Sequence, residues 1–221
     1  MDNRQLGGGA VGAWRSAVTL GLVAVIGTGL LATVNQLTRE RIREQERRAV
    51  LQQLGQLIPP DRYDNALHDD QFTFSDTAWF PGGQPITIFR ARKQGVPVAA
   101  VMKLAATEGY SGPIQLLIGI NMDGSLTGVR VTSHKETPGL GDGIETRKSD
   151  WILGFAGRSL QNPGGPGWAV KKDGGDFDQF TGATITPRAI VKAVRQALEY
   201  FSANRDELFE HASGLPETES S

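Results

Sequence analysis

The sequence predicts an α+β protein: a single N-terminal transmembrane helix, followed by a domain with a mostly antiparallel, twisted sheet flanked by helices. Three observations predict this arrangement. Residues 17–34 contain no charged side chain. Apolar runs separated by turn-forming residues occupy 85–132, as is typical of strands joined by hairpins. From Pro187 onward, apolar residues recur at helical spacing.

The composition excludes several classes of function. A formal net charge of -1 over 221 residues gives no support for a nucleic-acid partner, because such proteins normally carry a basic excess. There are no cysteines, so thiolate metal sites, iron–sulfur clusters and disulfides within the chain are excluded. His68, His134 and His211 lie far apart in the sequence, and we expect neither a metal site nor catalytic residues. Electrons carried by this chain would therefore reside on an organic cofactor.

Residues 17–37 are predicted to form the transmembrane helix, after an N-terminal tail of residues 1–16. At a rise of about 1.5 Å per residue, the uncharged stretch nearly crosses a hydrocarbon core of about 30 Å, and its flanks supply the remainder. Trp14 and Arg15 are interfacial anchors on one side. A cleaved signal peptide and a buried core helix are the alternatives. The stretch is long for the apolar region of a signal peptide. Because it is apolar on every face, it also fits a buried core helix less well.

The charges beside this helix leave its orientation open. Arg4 and Arg15 precede it, and a larger group follows it: Arg39, Arg41, Arg43, Arg47 and Arg48. The positive-inside rule applied to this count places the C-terminal part in the cytoplasm. Long folded domains translocate largely regardless of charge, however, so the residues alone do not decide.

Residues 38–84 are predicted to be a helical stalk and a connector. Arginine, glutamate and glutamine dominate up to about Leu57, with a few apolar residues interspersed, which predicts a solvated helix. Pro59 and Pro60 end it, because proline cannot continue a helix.

The globular domain is predicted over residues 85–210. Lys93-Gln94-Gly95 and Asp123-Gly124 mark turns between apolar runs, and an Asp-Gly pair is a strong hairpin signal. A short helix is predicted at 149–156 and a loop at 161–167. The last helix begins at Pro187, with an apolar face made of Ile190, Val191, Val194, Ala197, Leu198 and Phe201. Residues 211–221 are predicted to be a disordered tail.

The segment from Asp178 to Pro187 opens directly into that helix and has the character of a phosphate site. Thr186 is predicted as the N-cap and Pro187 as the first helical residue. A helix start offers unpaired N–H groups and a positive dipole end, both of which favour an anion. Two threonine hydroxyls, Thr181 and Thr184, lie in the loop just before it.

This segment resembles the flavinylation motif Asp-x-x-Ser/Thr-Gly-Ala-Thr/Ser, in which a flavin transferase attaches FMN to the last residue. Asp178, Thr181, Gly182, Ala183 and Thr184 match it position by position. The resemblance implies a phosphoester between FMN and Thr184. Thr186 is the fallback acceptor if the register is shifted, and an ordinary capped turn is the alternative without a cofactor.

Two further segments are similar to loops of the FMN-binding domain family. The run from His134 to Asp142 contains that family's Glu-Thr-Pro-Gly-Leu-Gly loop, and Gly109 to Pro113 resembles its other signature loop. Taken alone, the run from His134 to Asp142 fits a structural loop better than a binding loop, and Tyr110 could equally be a core or surface aromatic. The resemblance implies flavin contacts from two sets of residues: Glu136, Thr137, Gly139 and Leu140, and Tyr110 and Ser111.

Together these motifs resemble the G subunit of the Rnf electron-transport complex. That resemblance implies a single-pass protein of the bacterial inner membrane with a periplasmic flavin domain, which opposes the arginine count above. It implies an electron relay between NADH- and ferredoxin-linked carriers, with other Rnf subunits, a flavin transferase and the lipid bilayer as partners. The alternatives are the FMN subunit of a sodium-pumping NADH:quinone reductase and a non-redox anchor or assembly subunit. A reductase of soluble substrates fits less well, because 221 residues leave no room for a substrate domain beside the expected FMN-binding domain.

Overall fold

The computed structural model describes residues 20–22, 24–25, 27–29 and 52–210. The chain divides into two compact units, Met1–Val50 and Leu51–Ser221. In the first unit the described residues are helical. Among all described residues, no helix combines the length and apolar character needed to cross a membrane. Most of the predicted span at 17–37 and of the stalk, and the predicted tail at 211–221, lie outside the described residues.

Five antiparallel strands form the sheet of the second unit; the sequence predicts a mostly antiparallel sheet and the four strands after residue 85. They are β1 (Gln71–Phe74), β2 (Ile86–Lys93), β3 (Val96–Ala106), β4 (Ile114–Asn121) and β5 (Leu126–Ser133). Each strand pairs with the next along the chain, so the sheet is a meander. The predicted turns at Gln94-Gly95 and Asp123-Gly124 connect β2 to β3 and β4 to β5, with positive φ at Gln94, Gly95 and Gly124.

The sheet begins earlier than residue 85, where the domain was expected to start. β1 pairs with β2 in register, with Phe72 opposite Ile88 and Phe74 opposite Ile86. Its Gln-Phe-Thr-Phe sequence alternates polar and apolar residues, the pattern of a half-buried edge strand. Four residues give a weak signal, and the strand is stabilised by packing of Phe74 on the distant Tyr200, with ring centroids 5.4 Å apart.

The C-terminal helix runs over Ile185–Glu210 and packs on one face of the sheet. Its buried residues recur at helical spacing, as predicted, and Ile190, Val194 and Phe201 are almost fully enclosed. From the sheet they meet alternate residues of the central strands, including Met102 and Ile118. This layer of helix on sheet is the main hydrophobic core.

The other face of the sheet is covered in part by the end of the preceding helical segment, residues 52–57. Leu54, Leu57 and Ile58 are buried there. Leu57 lies over two glycines that face each other across β4 and β5: a Cβ on Gly119 or Gly128 would come within 3.3 or 3.2 Å of its side chain. The expected solvated helix is therefore wrong at this end, because two missing side chains leave a notch that an apolar residue fills.

Short 3₁₀ helices carry the connections around this core: Pro60–Arg62, Asp142–Ile144, Trp151–Phe155, Gly165–Gly167 and Lys171–Asp173. The helix predicted at 149–156 is the Trp151–Phe155 turn. It stays short because Gly157, which has a φ of 76°, turns the chain away. Phe155 is buried and stacks on Phe177 at 4.7 Å, which fixes the loop leading to the C-terminal helix.

Candidate cofactor site at the start of the C-terminal helix

A tight turn presents the threonine that the motif singles out. Residues Phe180 to Ala183 close it, with the Ala183 N–H donating to the Phe180 carbonyl at 3.1 Å. Gly182 has a φ of 80°, a left-handed conformation that side chains disfavour. The glycine of the motif is thus required by the backbone, and the turn delivers Thr184 to the start of the helix.

Thr184 is the N-cap residue of the helix, which begins at Ile185. Its carbonyl accepts the Arg188 N–H at 3.2 Å, the first bond of the helix. The Thr184 side chain is half-buried. Within residues 52–210 its hydroxyl has no hydrogen-bond partner, and the N–H groups of Ile185 and Thr186 have no acceptor. The arrangement offers an accessible hydroxyl beside free donors at the positive end of a helix dipole.

Thr186 does not cap the helix, and Pro187 is not its first residue, so both expectations are wrong. The Thr186 side chain is fully buried and donates its hydroxyl to Glu136 Oε2 at 2.5 Å. A hydroxyl committed to a buried carboxylate cannot turn back to cap its own helix. Pro187 is instead the third helical residue, where its missing N–H still costs little.

Glu136 links three segments that are distant in the sequence. Its side chain is 4% exposed, and besides Thr186 it accepts the Ser111 N–H at 2.9 Å through Oε1. The loops at 109–113 and 134–142 therefore both meet the helix start. Gly141 allows this approach, since a Cβ there would lie 2.8 Å from Glu136 Oε2 and 3.0 Å from Thr186 Oγ1.

The loop after Glu136 reaches the turn that carries Thr184. The Thr137 carbonyl accepts the N–H groups of Leu140 and Gly141 at 3.1 and 3.0 Å, and the Gly139 N–H donates to Asp142 Oδ1 at 2.8 Å. These bonds project Leu140 outward. A Cβ on Gly182 would contact its side chain at 3.6 Å, so the two loops lie side by side.

Exposed apolar side chains come from each of the three segments. Tyr110 is 70% exposed, Leu140 49% and Ile185 44%. Large apolar groups left in water at one place are typical of a surface that binds something. Tyr110 is therefore a surface aromatic in this structure.

Asp178, the first residue of the motif, is not drawn into this cluster. Its carboxylate lies 2.6 Å from Lys171 Nζ, and both side chains are exposed. Its carbonyl accepts the Trp151 indole N–H at 2.8 Å. Thr181 is exposed at the tip of the turn. Asp178 thus secures the entry to the turn, and the structure shows no contact between it and Thr184.

Two protein-family models match the chain. The FMN-binding domain matches residues 109–199, a range that contains all three converging segments. The RnfG N-terminal region matches residues 12–57.

Similar proteins cover nearly the whole chain. The G subunit of the ion-translocating oxidoreductase complex of Pseudomonas aeruginosa (strain UCBPP-PA14) is 50% identical over 202 residues, which are 90% of this chain and 94% of that protein. The chain belongs to the family of G subunits of the ion-translocating oxidoreductase complex. The family member of Shewanella loihica is 47% identical, covering 88% of this chain and 92% of that protein, and that of Cronobacter sakazakii is 51% identical, covering 83% and 87%. The crystal structure of Shewanella oneidensis NqrC is similar at 21% identity with a TM-score of 0.44, covering 68% of this chain and 70% of that one.

Family membership confirms the resemblance drawn from the motifs, and the residues fit an FMN. A phosphate can be held by free N–H groups at the helix start, and a flat ring can lie on exposed apolar side chains. The individual contacts expected from Thr137, Gly139, Leu140, Tyr110 and Ser111 stay predictions.

Some residues of this site could not be recognised as such from the sequence. The Glu136 N–H donates to His134 Nδ1 at 3.1 Å, and His134 Nε2 lies 3.0 Å from Glu145 Oε1. The Glu136 carboxylate accepts hydrogen bonds from Ser111 and Thr186, and the flavin contact expected of Glu136 stays a prediction. The sequence offered one signal of this buried position: Glu136 is a charged residue within a glycine-rich loop. A charged side chain is seldom buried unless it has partners, so such a residue is a candidate for linking loops.

Proposed function

We propose that this chain is a membrane-anchored flavoprotein that relays electrons through an FMN bound to Thr184 by a phosphoester. The observation that carries the proposal is the half-buried Thr184 hydroxyl, which has no partner among residues 52–210 and lies at the N-cap beside free N–H groups. By comparison Thr186, the fallback acceptor, is fully buried and hydrogen-bonded.

Attachment requires an activated flavin and a transferase. FAD is such a donor, because its pyrophosphate bond activates the flavin-side phosphorus. Thr184 Oγ1 forms the new oxygen–phosphorus bond, the pyrophosphate bond breaks, and AMP leaves, while the hydroxyl proton passes to a base of the transferase. No electrons are transferred in this step. The product is a phosphoryl threonine whose charge the helix start stabilises.

Bound FMN supplies the coupling of two-electron to one-electron transfer. The residues of this chain do the rest. Thr184 fixes the cofactor, and the N–H groups of Ile185 and Thr186 are available to its phosphate. Tyr110, Leu140 and Ile185 offer apolar surface to a ring and exclude water from it. In the part of the chain that the structure describes, no cluster of His, Asp or Glu suits a metal ion.

The location of the protein is part of the proposal. We place it in the bacterial inner membrane as a single-pass component of a translocase, with its flavin domain in the periplasm, in contact with other Rnf subunits and the lipid bilayer. The uncharged run at 17–34 supports the anchor. Protease added to intact spheroplasts should digest the domain, whereas digestion only after lysis would place the domain in the cytoplasm.

A denaturing gel tests the covalent bond. Wild-type protein co-expressed with the flavin transferase should give a band that fluoresces under ultraviolet light. Thr184→Val keeps the shape of the side chain and removes its hydroxyl, so this band should be dark. Thr184→Ser keeps a hydroxyl and should stay fluorescent, with the flavin on the peptide containing residue 184. A fluorescent Thr184→Val band would contradict the assignment, and a dark wild-type band would favour a non-redox anchor.

A further inference from the structure

Glu136 is unusual because its side chain is buried and forms no ion pair with any residue of 52–210. It is 4% exposed, and its two oxygens accept one N–H and one O–H, from Ser111 at 2.9 Å and Thr186 at 2.5 Å. Burying a charge is costly unless its hydrogen bonds are satisfied. Here each oxygen accepts one hydrogen bond, so the carboxyl group holds both donors in place.

The surroundings are shaped to accept this carboxylate. Gly141 packs directly against it, and any side chain there would displace either Glu136 or Thr186. The Glu136 backbone is fixed as well, because its N–H donates to His134 Nδ1 and the other ring nitrogen lies against Glu145. The carboxylate is therefore held at a fixed point relative to the helix.

That fixed point determines where the acceptor hydroxyl lies. Thr186 is the second residue of the helix, and Thr184 precedes it by two residues. Anchoring Thr186 sets the rotation of the first helical turn, and with it the direction of the N-cap. It also withdraws the Thr186 hydroxyl from reaction, which leaves Thr184 as the presented hydroxyl of the helix start.

We propose that Glu136 is a positioning residue for flavin attachment: it accepts the Thr186 hydroxyl and so presents Thr184 to the flavin donor. This inference rests on the proposed function. Glu136 acts through Thr186 and does not touch the reacting atoms.

The test is the rate of flavin attachment to the full-length apo-protein in detergent, with purified flavin transferase and FAD. Glu136→Gln and Thr186→Val each break the bond. Each should lower kcat by about 10- to 100-fold, because small misplacements of a reacting group have effects of this size. The KM for FAD should change little, since FAD binds the transferase. Thr186→Ser keeps the hydroxyl and should restore the wild-type rate.

Two comparisons separate positioning from general loosening. The double variant Glu136→Gln/Thr186→Val should be no slower than the slower single variant, because both changes remove one interaction. Arg92 of β2 donates Nη2 to the Phe209 carbonyl at 2.6 Å, at the far end of the same helix. Arg92→Leu should lower the urea midpoint of the apo-protein while leaving kcat unchanged. Equal slowing in Arg92→Leu and Glu136→Gln would overturn the inference, as would a wild-type rate in Glu136→Gln.

Failure of the proposed function gives a different pattern. If Thr184→Val still acquires covalent flavin, the acceptor assignment is wrong whatever Glu136 does. If Thr184→Val acquires none and both Glu136→Gln and Thr186→Val match wild type in kcat, the acceptor assignment stands and the positioning role fails.

Discussion

The two ends of the C-terminal helix differ in whether their terminal backbone groups have hydrogen-bond partners. At its start, the N–H groups of Ile185 and Thr186 find no acceptor among the described residues, and the Thr184 hydroxyl beside them is free. At its end, the Leu208 and Phe209 carbonyls accept hydrogen bonds from two arginines of β2. Every helix leaves such groups at its termini. We call the C-terminal end, where other residues of the protein bond the Leu208 and Phe209 carbonyls, the closed end. The N-terminal end at Thr184 to Thr186 is called the open end.

The closed end is built around Asp70. Its carboxylate accepts Arg90 Nε at 2.6 Å and Arg92 Nε at 2.9 Å, and Asn65 Nδ2 donates to it at 3.1 Å. Arg90 is 1% exposed and Asp70 17%. Positive charge at a helix C-terminus also complements its dipole. This network ties the end of the helix to the edge of the sheet.

The difference shows how one element can serve both stability and binding. Unsatisfied donors and exposed apolar side chains lower stability, so the rest of the domain must be stable without a contribution from such a site. The arginine network and the core along the helix supply that scaffold. We therefore expect changes at the closed end to affect unfolding, and changes at the open end to affect chiefly the cofactor.

The largest effect is expected from Asp70→Asn. The amide removes the negative charge between two guanidinium groups, of which the Arg90 group is buried, and breaking one partner of a buried ion pair costs about 3–5 kcal/mol. Urea unfolding of the apo-protein, followed by tryptophan fluorescence, measures this loss. The folded fraction should still accept flavin on Thr184 at the wild-type rate. A loss below about 1 kcal/mol, as for a surface ion pair, would show that the closed end is not the scaffold.

The open end was more predictable from the sequence than the closed one. The residues of the flavinylation motif are consecutive, and the helix that follows shows its period locally. Asp70, Arg90 and Leu208 meet only after folding, since 118 positions separate Arg90 from Leu208. The helix start was misjudged for a related reason: Thr186 and Pro187 suit a cap locally, but the long-range bond to Glu136 draws Thr186 into the core. β1 was missed because four residues show too little of the strand pattern.

A smaller effect on stability is expected from Gly141→Ala. The backbone of Gly141, with a φ of -92°, would accept alanine, so any effect comes from contact alone. The added methyl group would press on Glu136 and Thr186, and such overpacking costs about 1–3 kcal/mol. Flavin attachment should slow as well, which Asp70→Asn should not cause. Attachment kinetics and urea unfolding of both variants measure the two effects.

Gly154→Ala is the matched control for this variant. A Cβ on Gly154 meets nothing within 4 Å, and the residue lies in a turn outside the three converging segments. Its unfolding free energy should stay within about 0.5 kcal/mol of wild type, and its rate of attachment should be unchanged. Slower attachment in Gly154→Ala would mean that any added methyl group disturbs the loops, and that the Gly141 contact is not special.

High pH should lower the stability of the protein through Tyr200, which lies in the half of the helix that contains the closed end. Burial, followed by the negative charges of Asp76 and Glu207, raises the pKa of Tyr200 to about 12. In the unfolded chain this phenol ionises near its ordinary pKa of 10.0, so its contribution to stability is present below that pH and is lost as the pH rises toward 12. Urea midpoints between these limits should fall more steeply in wild type than in Tyr200→Phe. Parallel curves would contradict the assignment.

Low pH should remove a small stabilising contribution near the open end, and this is the smallest of the expected effects. Hydrogen bonds from Arg147, and to a lesser extent from His134, lower the pKa of the Glu145 carboxyl below its ordinary value of 4.5. A lowered pKa stabilises the fold above that value, and this contribution is lost as the pH falls through the folded-state pKa. Because Arg147 is 86% exposed, the gain stays under about 1 kcal/mol.

Hydrogen exchange at the Glu136 amide measures this acid effect, since that amide donates to the His134 ring that Glu145 contacts. We expect wild type to be better protected than Glu145→Gln at about pH 6, where Glu145 is ionised, and the two to converge well below about pH 4. Comparing the variants at each pH cancels the intrinsic rate of exchange. The amides of Leu208 and Phe209 should exchange alike in both proteins. If the amides of Leu208 and Phe209 also exchanged differently in the two proteins, the two ends of the helix would open as one unit. The distinction between an open and a closed end would then not apply to their dynamics.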